Sequence, residues 1–395
     1  MQNLKENIEK LNTYLSNKNY NDIDIIDLVK YLYNSFGVDL KIDTNKFELL
    51  KSKIPLNKKV LFVIVDGLGY YKVKELNEKS ILKQNLKRSI QTVNPTSTAC
   101  VLSSVASASY PSTHGILGWW QYLRSKDINY CPLPYVERKT GINLKEKGVE
   151  INDVFNFDSI LNKLNTNVNI SMSREIISSD FSKKFIGSKA NTHGYYSVKE
   201  AFLNMSKKIK QTNKSFNYLY IDGLDETSHI YGTNSKEVQE IIDEIEDGIK
   251  RLKQENEDTT IIITADHGQV DMVSMMYLNQ NNDYTKYFYA LPSIDTRMVS
   301  FFVKKEMKEE FIDTFMNEFR DDVILLEKEE VEKYKLFGNE KISDNALDCL
   351  GEYIAIVVNN KFLICDKINM EDKLNTKGNH SGLAKEETTI PLIVI

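Results

Sequence analysis

Three stretches of this chain share one pattern, and that pattern constrains the fold more than any other feature. Each is a β-rich apolar run that stops at an acidic turn. Val60–Val65 (VLFVIV) ends in Asp66-Gly67-Leu68-Gly69, Phe216–Ile221 (FNYLYI) in Asp222-Gly223, and Thr260–Thr264 (TIIIT) in Ala265-Asp266-His267-Gly268. Runs of this kind suit strands buried on both faces of a parallel sheet. Between the second and third lies Ser235–Gln254, where Val238, Ile241, Ile242, Ile245 and Ile249 keep a helical period and Glu and Lys fill the other face. Strand, turn and helix in repetition indicate an α/β domain with a largely parallel sheet. In such sheets sites form beyond the carboxyl ends of the strands, where Asp66, Asp225, Asp266 and His267 are expected to converge.

A chain of 395 residues exceeds the size at which one core stops growing, so insertions or a second domain are expected. Residues 1–57 read as an auxiliary helical extension, with Ile23, Ile26, Leu28, Val29 and Leu32 forming an apolar stripe that stops near Gly37. Residues 58–269 and 376–395 form the expected catalytic core, closing on the strand-like Ile390–Ile395. A polar stretch, about 119–213, reads as an insertion over the site. Residues 270–375, with the strand-like Met298–Val303 and Glu352–Val358, read as a smaller α+β cap.

Composition excludes some functions. Lys and Arg number 51 against 56 Asp and Glu, a formal net charge of -5. No global field draws the protein to nucleic acid or an anionic membrane, so neither a nucleic-acid polymer nor a membrane is an expected partner. Four scattered cysteines without a CxxC spacing make neither a disulfide scaffold nor a cysteine zinc module. No run approaches the roughly 20 apolar residues that span a bilayer. The N-terminal MQNLKENIEKLNTYL has no apolar segment of a secretory leader, and a cytoplasmic location is expected.

There are five histidines, three of them in contexts that ask for an explanation. Asp225 and His229 are four apart, a spacing that lets both side chains meet one ion on a helix. Asp266-His267 follows a strand end and is flanked by Gly268, which permits close backbone approach. His380 sits in a glycine-bracketed loop, KGNHSG, before the last strand. Any one of these is ordinarily an ion pair or a cap. Together with Asp66 they give six Asp and His candidates, a ligand set that suits zinc in catalytic sites. A nucleophile candidate lies in Asn94-Pro95-Thr96-Ser97-Thr98, where Pro95 fixes a turn and ACVLSSVASA forms a helix of small residues. A hydroxyl at that helix N-terminus faces free N–H groups and the positive end of the dipole, unless it serves only as the cap.

The segments VIVDGLG, NPTSTACVLSSVASASYPSTHGILGW, YIDGLDETSHIYG, IIITADHGQ and GNHSGLAKEETTIPLIV, in this order from about residue 59 to the end, carry a resemblance. The chain resembles the type I phosphodiesterase and nucleotide pyrophosphatase family of the alkaline phosphatase superfamily. That resemblance implies an alkaline-phosphatase-like three-layer sandwich, a phosphothreonine intermediate and two divalent metal ions, zinc first, with manganese or iron as substitutes. Asp225, His229 and His380 would hold one ion, Asp66, Asp266 and His267 the other, and Thr98 would be the nucleophile bridging them. His114-Gly115 matches a family pair that reads as structural. Two positions depart from the family: Val101 stands where an asparagine contacts phosphate, and Ser97 where a lysine precedes the nucleophile. Cys100 lacks the neighbours a sulfatase needs.

The expected substrate is a small phosphoester, with nucleotides among the candidates. Trp119 and Trp120 are candidate substrate-binding residues, with Tyr122 nearby, although anchoring the insertion explains them equally well. His193-Gly194-Tyr195-Tyr196 is a second aromatic cluster with the same two readings. Alternatives are a phosphonate hydrolase or phosphomonoesterase on the same ligands and, remotely, an inactive metal-binding interaction protein.

Overall fold

The computed structural model describes residue 11, residues 22–365 and residues 376–395. Its centre is a seven-stranded sheet made of β1 (Lys59–Val65), β2 (Leu86–Gln91), β3 (Asn167–Ser173), β4 (Asn191–Tyr195), β5 (Ser215–Ile221), β6 (Thr259–Thr264) and β7 (Thr389–Val394). The strand order is β2–β7–β6–β1–β5–β3–β4. The five strands from β6 to β4 are parallel to their neighbours, while β7 runs antiparallel to both β6 and β2. The unbroken apolar runs take the middle, as buried strands should: all of β5 and β6 and six of seven residues of β1 are buried. Each Val or Ile so enclosed contributes about 1.5–3 kcal/mol.

Helices α1 (Ile25–Ser35), α2 (Thr98–Ser107), α3 (Val198–Lys210), α4 (Gly223–Tyr231) and α5 (Lys236–Glu255) form two groups. In one, α5 packs on α3 and α4; in the other, α1 packs on α2. The result is the expected α/β three-layer sandwich. The α5 stripe turns Val238, Ile242, Ile245 and Ile249 inward, and Ser235 Oγ accepts the Val238 N–H at 3.2 Å as its cap, a contact worth about 1 kcal/mol. No helix among the described residues is long and apolar enough to cross a membrane.

Two parts of the chain sit differently from their sequence reading. Residues 22–57 of the expected N-terminal helical extension pack on the core: Tyr33 Oη donates to the Val105 carbonyl of α2 at 2.9 Å, and Tyr110 Oη donates to Asp24, the N-cap of α1, at 2.6 Å. Most of residues 1–21 lie outside the described residues. The insertion expected over about 119–213 is shorter, because residues 167–210 supply β3, β4 and α3 of the sandwich. What projects is a small antiparallel sheet of Gln121–Leu123, Ile128–Cys131 and Val136–Glu137, with short turns after it.

The cap carries a four-stranded antiparallel sheet ordered Ser293–Ile294, Met298–Phe301, Tyr353–Val357, Val323–Glu327, plus helix α6 (Lys308–Phe319). It has an apolar cluster of its own, in which Phe301, Phe311 and Phe315 pack on Tyr284 and Tyr353. Residues 366–375 of the expected cap lie outside the described residues.

Candidate metal centre and nucleophile

The carboxyl ends of β1, β5 and β6 lie side by side, so the residues just past them meet. Asp66 follows β1 and Asp266-His267 follows β6. The Asp66 N–H donates to the Ile221 carbonyl at 2.8 Å, and the Gly67 N–H donates to Asp266 Oδ1 at 3.1 Å. Gly67 has φ +75°, and a Cβ there would meet Asp225 at 3.2 Å, so the turn is restricted to glycine by conformation and by space. His267 Nε2 is 3.4 Å from Asp66 Oδ1 and 3.4 Å from Asp266 Oδ2. Those two carboxylate oxygens are buried and have no hydrogen-bond partner. Burial first, then Asp266 and Asp225, holds the Asp66 carboxyl well above its ordinary range, although Tyr220 Oη donates to its other oxygen.

The second group is built from less regular pieces. Asp225 and His229 lie one turn apart on α4, with His229 Nε2 3.2 Å from Asp225 Oδ2. His380 comes from the loop before β7, its Nε2 3.8 Å from Asp225 Oδ1. Burial alone would lower the His229 pKa, but the Asp225 carboxylate outweighs it and raises the imidazole to about 9. In return, the Asp225 carboxyl, which burial pushes up, is held below its ordinary range by His229. Burial and the His267 ring, stacked 3.7 Å away between centroids, push His380 well below the usual histidine value.

Within each group the ligand atoms lie within 4.8 Å of one another. The donor chemistry fits a divalent cation in both. His229 Nδ1 donates to the Gly378 carbonyl and His380 Nδ1 to the Thr96 carbonyl, each at 2.7 Å, and His267 Nδ1 sits 3.2 Å from the Gly268 carbonyl. A proton fixed on Nδ1 leaves Nε2 as the lone-pair donor, the arrangement that outer hydrogen bonds impose on metal-binding imidazoles. The orphaned oxygens of Asp66 and Asp266 are the acceptors an ion would satisfy.

Thr98 is the first residue of α2. Ser97, the N-cap, makes no side-chain cap hydrogen bond, so its side chain does not take up the first N–H groups of the helix. Thr98 Oγ1 is 3.3 Å from His267 Nε2, which sets the hydroxyl against the first group. The other residues singled out from sequence divide. His114 is structural: buried, lowered to about 3 by that burial, it contacts Ser104 Oγ at 2.9 Å and accepts the Ile116 N–H at 3.1 Å. Trp120 is 6% exposed, pairs its backbone with Ile294 of the cap and lies 4.2 Å under the Arg138 guanidinium, so it anchors the insertion. Trp119 is 38% exposed. His193 lies on the edge strand β4, outside both groups.

Sequence reading did not single out Gln269, whose amide donates to Asp225 Oδ1, nor Tyr220, nor the buried pair Arg297–Glu387 beside the His380 loop. Only the position of Gln269, right after Ala265–Gly268, was a usable signal.

A family model of type I phosphodiesterase / nucleotide pyrophosphatase matches residues 60–383. No curated protein matches the chain. Among solved structures, murine ectonucleotide pyrophosphatase / phosphodiesterase 5 is similar with a TM-score of 0.64 at 15% identity, covering 85% of this chain and 87% of that one. The human protein of the same name gives 0.63 at 15% identity, with the same coverage. Phosphonoacetate hydrolase from Sinorhizobium meliloti 1021, in complex with phosphonoformate, gives 0.61 at 15% identity, covering 86% of this chain and 91% of that one. At these identities the likeness is one of fold.

Proposed function

The chain belongs to the type I phosphodiesterase / nucleotide pyrophosphatase family, and from that premise we propose that it is a two-metal hydrolase of phosphodiester or pyrophosphate bonds, working through a phosphothreonine intermediate. The observation that carries this reading is the Thr98 hydroxyl at a helix N-terminus, 3.3 Å from a ligand imidazole. Asp66, Asp266 and His267 would hold one divalent ion and Asp225, His229 and His380 the other, zinc by donor set with manganese or iron as substitutes, supplying Lewis-acid stabilisation to the reacting oxygens.

The chain supplies the rest. Thr98 Oγ1 gives up its proton and attacks phosphorus in line, and the ester or anhydride P–O bond opposite it breaks, the leaving oxygen departing with a proton in exchange. Water then attacks from the vacated side, its hydroxyl oxygen bonding to phosphorus as the P–Oγ1 bond breaks and its remaining proton restoring the Thr98 hydroxyl. The N–H groups at the start of α2 face the oxygens on which negative charge builds, with the dipole aligned to favour it. Val101 is fully buried and offers no polar atom to phosphate, so recognition of the phosphoryl group rests on those N–H groups and the ligand groups. Trp119, 38% exposed, is a candidate to stack a base or an apolar leaving group.

A nucleotide substrate draws support from an inactive threonine-to-alanine variant of the murine structure in complex with AMP, similar at 14% identity with a TM-score of 0.64. A second reading, a phosphonate hydrolase or phosphomonoesterase, draws on the likeness to phosphonoacetate hydrolase. Zinc-loaded protein assayed on bis-p-nitrophenyl phosphate and p-nitrophenyl phosphate separates the two. Faster hydrolysis of the diester supports the first reading. Preference for the monoester overturns it in favour of the second, and turnover of neither overturns both.

A further inference from the structure

His380 is the one ligand carried by neither a strand end nor a helix, and the loop that holds it is gripped from two sides. On the core side, Thr96 accepts His380 Nδ1–H at its carbonyl, and its Oγ1 accepts the Ser381 N–H at 2.9 Å and donates to the Gly382 carbonyl at 3.1 Å. On the other side stands the cap. Arg297, at the entry to the strand Met298–Phe301, reaches Glu387 Oε1 through Nε at 2.7 Å and Oε2 through Nη2 at 3.0 Å. Its Nη1 donates to the Asn359 and Lys361 carbonyls, at 2.7 and 2.8 Å. The same Glu387 carboxylate accepts the N–H groups of Gly382 at 2.8 Å and Ala384 at 3.0 Å. Both side chains are essentially sealed, at 1% and 0% exposure.

Cap residues also bracket the ligand itself. Thr296 Oγ1 accepts from Asn379 Nδ2 at 3.2 Å, and the Arg297 N–H donates to Ser381 Oγ at 3.3 Å, one on each side of His380. Two local features show how closely the loop is held. A Cβ at Gly382 would lie 2.8 Å from Glu387 Oε2 and 3.0 Å from Arg297 Nε, so only glycine lets carboxylate and guanidinium close over it. Ser381 has φ +89°, a backbone state that a non-glycine residue keeps only when its surroundings impose it.

A sealed ion pair adds little net stability, because desolvating both charges offsets most of their attraction; its best-attested use is to specify one arrangement. We propose that Arg297 and Glu387 are positioning residues: they register the His380 loop between cap and core, and thereby set the affinity of the Asp225/His229/His380 group for its ion. The inference rests on the two-metal reading above. The cap thus holds one of the site's candidate ligands from behind.

The test uses the full-length protein and Co²⁺ as the probe, read by its visible absorption, with His229→Ala as the reference for loss of this group. The double variant Arg297→Met/Glu387→Leu replaces the pair by apolar side chains, so metal-free melting is expected to hold near that of the unaltered protein. Its first Co²⁺ should bind as before, while affinity for the second falls roughly 10–100-fold, leaving a spectrum like that of His229→Ala. Arg297→Lys keeps the charge but loses the two-pronged contact, and should fall between the two. Unchanged affinity for both ions in the double variant overturns the proposal, as does an equal loss at both groups together with a lowered metal-free melting temperature. Unaltered protein that takes up no Co²⁺ instead overturns the two-metal reading beneath it.

Discussion

The two candidate ligand groups share a residue count and one end of the sheet, yet they solve the charge problem in opposite ways. Asp66, Asp266 and His267 sit on the ends of two central strands and are sealed from solvent. Two carboxylates point unpaired oxygens at one imidazole, and burial drives Asp66 toward its neutral form. Asp225, His229 and His380 sit on a helix and a loop. There the aspartate already has a cation, since His229 is held protonated to about pH 9. The inner group is therefore under electrostatic strain until a cation arrives, whereas the outer group is satisfied beforehand and must surrender a proton to take one.

The largest expected effect concerns Thr98, the proposed nucleophile, which belongs by contact to the inner group. Thr98→Ala should reduce turnover roughly 10³-fold or more, with metal analysis still finding two ions per chain. Retained activity would move the nucleophile to Ser97 or a water, and loss of the outer ion would show that Thr98 belongs to both groups. Next in size is a pH effect on the outer group. Because His229 must lose its proton on binding, zinc affinity there should rise about tenfold per pH unit from neutrality until pH about 9, then level off. Competition titrations with a chelating dye would read it, and a flat profile would remove the contrast between the groups.

Smaller, but opposite in sign between the groups, are effects on metal-free stability. Asp66 has a raised folded pKa, so its contribution is favourable at low pH and is lost as pH climbs above the unfolded value of about 4 toward the folded one. Asp66→Asn should therefore stabilise the metal-free protein at pH 8, by about 1–2 kcal/mol, with the amide still accepting from Tyr220 and donating to Asp266. Asp225→Asn should destabilise it by about 1–3 kcal/mol, because His229 loses its counter-charge. Denaturant melts of both variants in a chelator decide the matter; the same sign for both would break the comparison. The smallest effect sharpens it. Gln269 follows the inner ligands in sequence but donates to the outer Asp225, and Gln269→Leu should weaken the outer ion alone by no more than about tenfold.

Much of this was legible in the sequence, and the parts that were not have physical causes. The central strands, α5 and the six candidate ligands could be read because unbroken apolar runs, a helical period and acidic turns are local signals. β3 escaped notice because its sequence, NVNISMS, alternates polar residues that a sheet buried on both faces does not normally accept. The structure satisfies the buried Asn169 sideways: its Nδ2 donates to Asn217 Oδ1 at 2.7 Å, and Asn217 Nδ2 donates to the Val60 carbonyl at 2.9 Å. A polar ladder across three strands is a long-range arrangement, invisible to a window of residues. The Arg297–Glu387 pair was hidden for the same reason, since neither residue stands near the other in the chain. Trp120 was ambiguous because an aromatic residue after that helix serves a pocket or an anchor equally well, and its backbone pairing with Ile294 is a long-range contact no local window contains.

The position of β7 has a consequence for how the molecule comes to exist. It lies inside the sheet, between β2 and β6, with Ile390 facing Ile90 and Ile393 facing Ile263. Contacts that join residues so far apart close late, because a long loop must be ordered before they return any free energy. Until β7 inserts, β2 and β6 present unpaired strand edges to one another's solvent side, a hazard for association between chains. The same late step carries His380 to the Thr96 turn only nine residues before it faces its partner strand. Under the two-metal reading proposed above, reactivity would thus be withheld from any partly folded form, and a chain able to bind a second ion would already have closed its sheet.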